Sequence, residues 1–188
     1  MTVTMLDAQT ALIIVDLQKG LMGFPFLHPV GAVLSNARLL ADRFRALRLP
    51  VVLVNVAGSA PGRTERARPE QNWPEGWTDV VPEIGQRPGD ITVTKRTWGA
   101  FTRTDLEARL RELGVTQVII AGVATGTGVE ATARQAYELG FNVTLAVDAM
   151  TDQRDVAHEY SLAHVFPRLG ETGTTQAILG LLETRTVA

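Results

Sequence analysis

Ala11-Leu-Ile-Ile-Val15 is an unbroken apolar, β-branched run closed by Asp16. A run without polar alternation has no face for solvent, so it predicts a strand buried on both sides, as in a parallel sheet. Outward from it, Val30, Val33, Leu34, Ala37, Leu40, Ala41, Phe44 and Leu47 recur at helical spacing. Pro50 stops that helix, and Val51-Val-Leu-Val-Asn-Val56 predicts a second buried strand. Ile91-Thr-Val-Thr94, ending at Lys95, predicts a short third strand. Thr104-Asp-Leu-Glu107 reads as a capping box for a helix that shows Leu106, Leu110 and Leu113 on one side and stops at Gly114. Gln117-Val-Ile-Ile-Ala121 predicts a fourth strand and Asn142-Val-Thr-Leu-Ala-Val147, closed by Asp148, a fifth. Helices are expected from Val129 to Leu139, around Val156 to Arg168 and from Thr175 to Glu183. Strands alternating with helices imply a parallel sheet covered on both faces, hence an α/β fold.

The 188 residues suit a single domain, expected to run over 1–188. The formal net charge of −2 argues against a nucleic-acid or anionic-membrane partner, since both select basic surfaces. Apolar runs fall far short of the roughly 20 residues that span a bilayer. The opening Met-Thr-Val-Thr-Met-Leu-Asp has neither a basic nor an extended apolar region, so a cytoplasmic location is expected. Cysteine is absent, which excludes disulfides, thiolate metal sites and a cysteine nucleophile. The histidines are His28, His158 and His164, and none pair at zinc-ligand spacing, so no metal is expected. Residues 58–90 hold Trp73, Trp77 and several prolines without a sustained period, which reads as a lid or binding loop.

In open parallel sheets ligands bind beyond the carboxyl ends of the strands, where the strand order reverses. The residues at those ends are Asp16, then Asn55 and Gly58, then Lys95, then Gly122 to Gly128, then Asp148. An acid and a base at two such ends supply the material for proton transfer. Lys95 stands out because 16 of the 18 basic residues are Arg, the two lysines being Lys19 and Lys95. Unlike Arg, Lys is a compact charge whose proton affinity responds to burial. Gly126-Thr-Gly128-Val-Glu-Ala131 fits G-x-G-x-x-A, with Asp148 twenty residues after Gly128. Against a dinucleotide site, Gly122-Val-Ala-Thr125 separates the strand from the motif. NAD(P) binding is therefore the weaker alternative, and no cofactor is expected.

Ala11-Leu-Ile-Ile-Val-Asp16-Leu-Gln18, Thr94-Lys95-Arg-Thr-Trp98-Gly-Ala-Phe101, Gly122-Val-Ala-Thr125, Val129-Glu-Ala-Thr-Ala-Arg134 and Val147-Asp148-Ala-Met150, in that order, resemble the isochorismatase-like hydrolase superfamily. The resemblance implies a single-domain, three-layer Rossmann-like fold with a six-stranded parallel sheet of order 3-2-1-4-5-6 and helices on both faces. It implies a site built on Asp16 and Lys95, and a non-proline cis peptide at Val123–Ala124. The family's usual third member is a nucleophilic Cys, and this chain has Gly128 at that position. Without a thiol no thioester forms, so cysteine-type amide hydrolysis is not expected. The true isochorismatases, which also carry Gly there, hydrolyse a vinyl ether with the Asp as acid. The reading that follows is a small-metabolite hydrolase with Asp16 as general acid/base, Lys95 as positioning cation and Gly128 leaving room. Gln18, Asn55, Trp98, Phe101, Ala124 and Thr125 are the candidate substrate contacts. Where true isochorismatases place an Arg two residues after the Lys, this chain has Thr97, and Arg63, Arg66, Arg68 and Arg96 are the candidate carboxylate clamps. The alternative is a catalytically silent relative that binds a metabolite or serves as a structural subunit. Relatives assemble, so a homodimer or higher homo-oligomer is expected.

Overall fold

The computed structural model describes residues 3–65 and 72–184. Six parallel strands form one sheet in the order β3-β2-β1-β4-β5-β6: β1 is Thr10–Val15, β2 Val51–Val56, β3 Ile91–Lys95, β4 Gln117–Val123, β5 Asn142–Thr151 and β6 Glu171–Gly173. Every residue of β1 is buried, as the absence of polar alternation requires. The fold is a single-domain α/β fold of the expected strand order.

Two cores flank the sheet. Ile13, Val15, Val52, Val54, Val118 and Ile120 face one, with Leu106 and Leu110 of α2 (Leu106–Glu112) and Ala133 and Ala136 of α3 (Glu130–Glu138). Leu12, Ile14, Leu53 and Ile119 face the other, with α1 (Val30–Ala46) and α5 (Thr175–Glu183). α4 (Asp155–Tyr160) runs into a wider, π-helical turn over Ser161–Val165 and then a tight turn over Phe166–Arg168.

The strand order reverses between β1 and β4, the place beyond which open parallel sheets hold their ligands. Val15 lies level with Gly122 there. Gly122 has φ +118, and a Cβ on it would come 2.0 Å from the Val15 carbonyl oxygen, so no other residue fits between the two strand ends. The peptide Val123–Ala124 is cis, and Thr125–Val129 follows as a single π-helical turn leading into α3.

Several local expectations change. The fourth strand extends to Val123, and the fifth runs past Asp148 to Thr151 after a register shift between Ile120 and Gly122. Asp148 therefore does not end its strand. Its Oδ1 accepts from the backbone N–H and hydroxyl of Thr175 and so anchors the start of α5, which occupies the acid that a ribose would need. Thr104 forms no capping box: its hydroxyl donates to the Ala100 carbonyl, and Glu107 pairs with Arg111 one turn on. Within the described part of the 58–90 segment, residues 77–81 run alongside 17–20. Lys19 and Gly20 donate to the carbonyls of Asp79 and Trp77, and Val81 donates to that of Leu17. Trp73 and Trp77 stack with ring centroids 4.2 Å apart.

Candidate active site

Asp16 is the first residue beyond β1, and its φ is +55. Left-handed backbone is unfavourable for a residue with a Cβ, though Asp tolerates it better than most. Here it turns the chain off the sheet while Asp16 N–H still donates to the Val54 carbonyl. Lys95, two strands away at the end of β3, reaches the same place. Its ammonium nitrogen lies 2.7 Å from Asp16 Oδ2 and 3.2 Å from the Thr97 carbonyl oxygen, to which it donates. Asp16 is 4% exposed and Lys95 2%.

The two carboxyl oxygens of Asp16 differ. Oδ2 faces Lys95, whereas no described group hydrogen-bonds the buried Oδ1. Burial, which disfavours the charge, outweighs the opposing attraction of Lys95 and its hydrogen bond, and the Asp16 carboxyl is pushed up to about 6. An ammonium accepts no hydrogen bond, so a proton on Asp16 resides on Oδ1, the oxygen with no competing partner. The Asp16 carboxyl thus takes up a proton at about 6, well above an ordinary aspartate, with a cation placed to stabilise the carboxylate that forms when the proton leaves.

Gly128 lies against this carboxyl. A Cβ built on it would stand 3.0 Å from Asp16 Oδ2, 3.0 Å from the Val123 carbonyl oxygen and 3.1 Å from Val15 Cγ1. A side chain at position 128 would therefore crowd the acid. Asp16, Lys95 and Gly128, distant in sequence, are brought together.

The other candidates divide. Gln18 is fully buried, and its amide is taken up by the main chain: Nε2 donates to the carbonyls of Val56 and Trp77, and Oε1 accepts from Val56 N–H. It pins the end of β1 to the end of β2. Asn55 donates to the Thr78 carbonyl at 2.8 Å, while its Oδ1 is buried without a described partner. Ala124 accepts from Thr127 N–H and Val129 N–H and closes the turn. Thr125 is fully buried with its hydroxyl 2.9 Å from His158 Nδ1. Phe101 packs into the core beside Phe141, with ring centroids 5.9 Å apart, and Trp98 is 67% exposed. Arg96 donates to the Ala57 carbonyl, Arg63 is exposed, and Arg66 and Arg68 lie outside the described residues. Lys19 pairs with Asp79 in the open.

Sequence reasoning missed Asp152 and assigned His158 no role. Asp152, 2% exposed, accepts from the Gly126 N–H at 2.8 Å. The only sequence signal for either is an acid and a histidine just past the end of the long fifth strand. Among the described residues no group of three His, Asp or Glu is placed to hold a metal ion, and no helix is long and apolar enough to cross a membrane.

The isochorismatase domain matches residues 10–177. The isochorismatase family protein YwoC of Bacillus subtilis is 42% identical over 178 residues, covering 91% of this chain and 93% of its own length. Nicotinamidase 3 of Arabidopsis thaliana is 31% identical over 162 residues, covering 82% and 79%. Among solved structures, an isochorismatase family protein from Burkholderia thailandensis superposes with a TM-score of 0.92 at 36% identity, covering 96% of this chain and 98% of that one. With a domain match over most of its length and relatives of this likeness, the chain belongs to the isochorismatase family.

Proposed function

We propose that the protein is a hydrolase of a small metabolite that works without a cysteine nucleophile, with Asp16 as the acid and a vinyl ether as the bond opened. The observation that carries this reading is the divided carboxyl of Asp16: one oxygen on Lys95, the other buried and without a described partner, in a group pushed up to about 6.

Amide hydrolysis needs a nucleophile at the carbonyl carbon, and the chain has no thiol to supply one. A vinyl ether makes the opposite demand. Its terminal carbon takes the proton from Asp16 Oδ1, and the resulting oxocarbenium ion adds water without further activation. The hemiketal then releases the alcohol and leaves a ketone. Asp16 is left as a carboxylate 2.7 Å from Lys95, whose charge stabilises it, and solvent returns the proton. An acid titrating at about 6 is roughly one-tenth protonated at pH 7, enough to serve as a general acid.

The near-complete burial of both side chains favours a second reading, in which the pair is a structural remnant in a silent relative that binds a metabolite or supports an assembly. One experiment separates the two. Vinyl ethers, amides and esters are screened against the wild type and Asp16→Asn in heavy water. The acid mechanism predicts turnover of a vinyl ether, one solvent deuteron on the former terminal carbon, and a loss of about 100-fold or more in Asp16→Asn. Turnover that survives Asp16→Asn unchanged contradicts the role given to Asp16, and inertness of the wild type throughout favours the silent relative.

We further propose a cytoplasmic protein that acts as a homo-oligomer. The exposed Val156 and Tyr160, one turn apart on α4, support a contact between copies. Light scattering of the purified chain reads that state directly.

A further inference from the structure

Asp16 and Lys95 do not use the buried polar cluster behind them. Its centre is His158 on α4, 4% exposed, with Nδ1 2.9 Å from the hydroxyl of the fully buried Thr125. Thr125 opens the Thr125–Val129 turn, and the same turn carries Gly128 against the Asp16 carboxyl.

The α4 segment grips that turn at more than one point. Asp152 accepts from Gly126 N–H at 2.8 Å. Ala157 Cβ lies 3.0 Å from where a Cβ on Gly126 would stand, so glycine there admits the helix. Ser161, one turn after Ala157, donates to Glu130 Oε2 at the start of α3. His28 backs His158, with ring centroids 4.9 Å apart, and its own Nδ1 and backbone N–H meet the Thr151 hydroxyl.

Packing alone does not require an imidazole here, because an apolar side chain fills space without burying a polar nitrogen. What the imidazole adds is a directed bond to Thr125. Burial first, then the neighbouring His28, holds His158 below the usual histidine range, while Glu159, Asp152 and Asp155 pull the other way. The ring therefore favours its neutral form, in which Nδ1 and the Thr125 hydroxyl share one hydrogen bond whose direction follows the tautomer.

We propose that His158 is a positioning residue for Asp16: acting through Thr125, it fixes the Thr125–Val129 turn so that Gly128 stays pressed against the Asp16 carboxyl and keeps water from it. The proposal rests on Asp16 as the reacting group, but its test needs no substrate. Released from His158, the turn loosens, water reaches the carboxyl, and Asp16 falls back toward the ordinary carboxylate range.

The readout is the Asp16 carboxyl titration, followed by carbon NMR of protein labelled at aspartate and assigned with Asp16→Asn. His158→Phe keeps a ring and removes the hydrogen-bonding nitrogen, whereas His158→Asn keeps a hydrogen-bonding group near the position of Nδ1. Thr125→Val and Thr125→Ser test the other side of the bond. The expected result is a midpoint lowered by about 0.5 or more in His158→Phe and Thr125→Val, and unchanged in His158→Asn and Thr125→Ser. An unmoved midpoint in folded His158→Phe or Thr125→Val overturns the proposal, and so does a shift in His158→Asn equal to that in His158→Phe. If neither His158→Phe nor Thr125→Val folds, the contact is a folding determinant and the proposal is likewise overturned. A raised wild-type midpoint that ignores all four variants sinks the positioning role alone, whereas an ordinary wild-type midpoint removes the acid reading as well.

Discussion

Each end of β3 meets a buried pair of opposite charges, and the two pairs are built differently. At the start of the strand, Asp90 receives Arg45 of α1 in a two-pronged bond, Nε to Oδ1 at 3.0 Å and Nη2 to Oδ2 at 2.7 Å, and Oδ2 also accepts from Arg87 N–H. Arg45 continues to Asp42, which Arg38 and Arg87 also reach. Burial opposes the Asp42 charge, yet the bonds from Arg38 and Arg45 and the charge of Arg87 hold its carboxyl below the usual range. Both oxygens of each carboxyl are engaged. At the far end of the strand, Asp16 has one cation, one engaged oxygen and one idle oxygen, and burial prevails. A fully satisfied pair is a fixture, and a half-satisfied one keeps a proton to give.

The largest effect separating the pairs is expected from Asp90→Ala, which removes both prongs of the bond to the shielded Arg45 guanidinium and leaves it Asp42 as its one described carboxylate partner. A loss of about 3 kcal/mol or more in urea unfolding is the predicted outcome, and a change below about 1 kcal/mol breaks the contrast. Next comes Gly128→Ala, whose methyl makes the Asp16 carboxyl and the Val123 carbonyl give by a few tenths of an ångström. A loss of about 1–3 kcal/mol is expected in the same assay. The double variant Asp16→Asn, Lys95→Met is expected to unfold at equal stability or up to about 2 kcal/mol above the wild type, because apolar packing replaces an ill-satisfied pair. The sign against pH follows from the raised Asp16 carboxyl. Folding favours its neutral form, so the wild type is best placed below the ordinary carboxylate value of 3.8 and loses ground to the double variant as pH rises through about 6. The smallest effect belongs to the exposed pair Arg109–Asp105, where Asp105→Asn is expected to change stability by about 0.5 kcal/mol or less.

Much of this contrast was legible in the sequence at one end of the strand only. Asp16 and Lys95 close apolar or alternating runs, and a strand's last residue must sit at the sheet's carboxyl edge, so position alone puts them near a ligand crevice. Asp90, Arg45 and Asp42 sit in ordinary polar surroundings, and only tertiary packing brings them together. The six-strand order came from the family resemblance, because β6 is three residues long and carries no hydrophobic pattern. The fifth strand outran its apolar run because Asp148 finds Thr175 N–H to bond, and a polar residue so satisfied ceases to mark an end. Gln18 and Asn55 stood at strand ends like Asp16, yet their amides serve main-chain carbonyls. Side-chain type and placement did not distinguish a clip from a contact.

Burial, against the pull of Lys95, holds the Asp16 carboxyl well above the ordinary carboxylate range, so that a protonated fraction persists toward neutral pH. A carbon NMR titration of the Asp16 carboxyl in the wild-type protein tests it directly. The account predicts a midpoint at about 6, rising further in Lys95→Met as the paired cation is lost. A midpoint at or below the ordinary 3.8 contradicts it, for Asp16 would then be an anion throughout the physiological range with no proton to deliver.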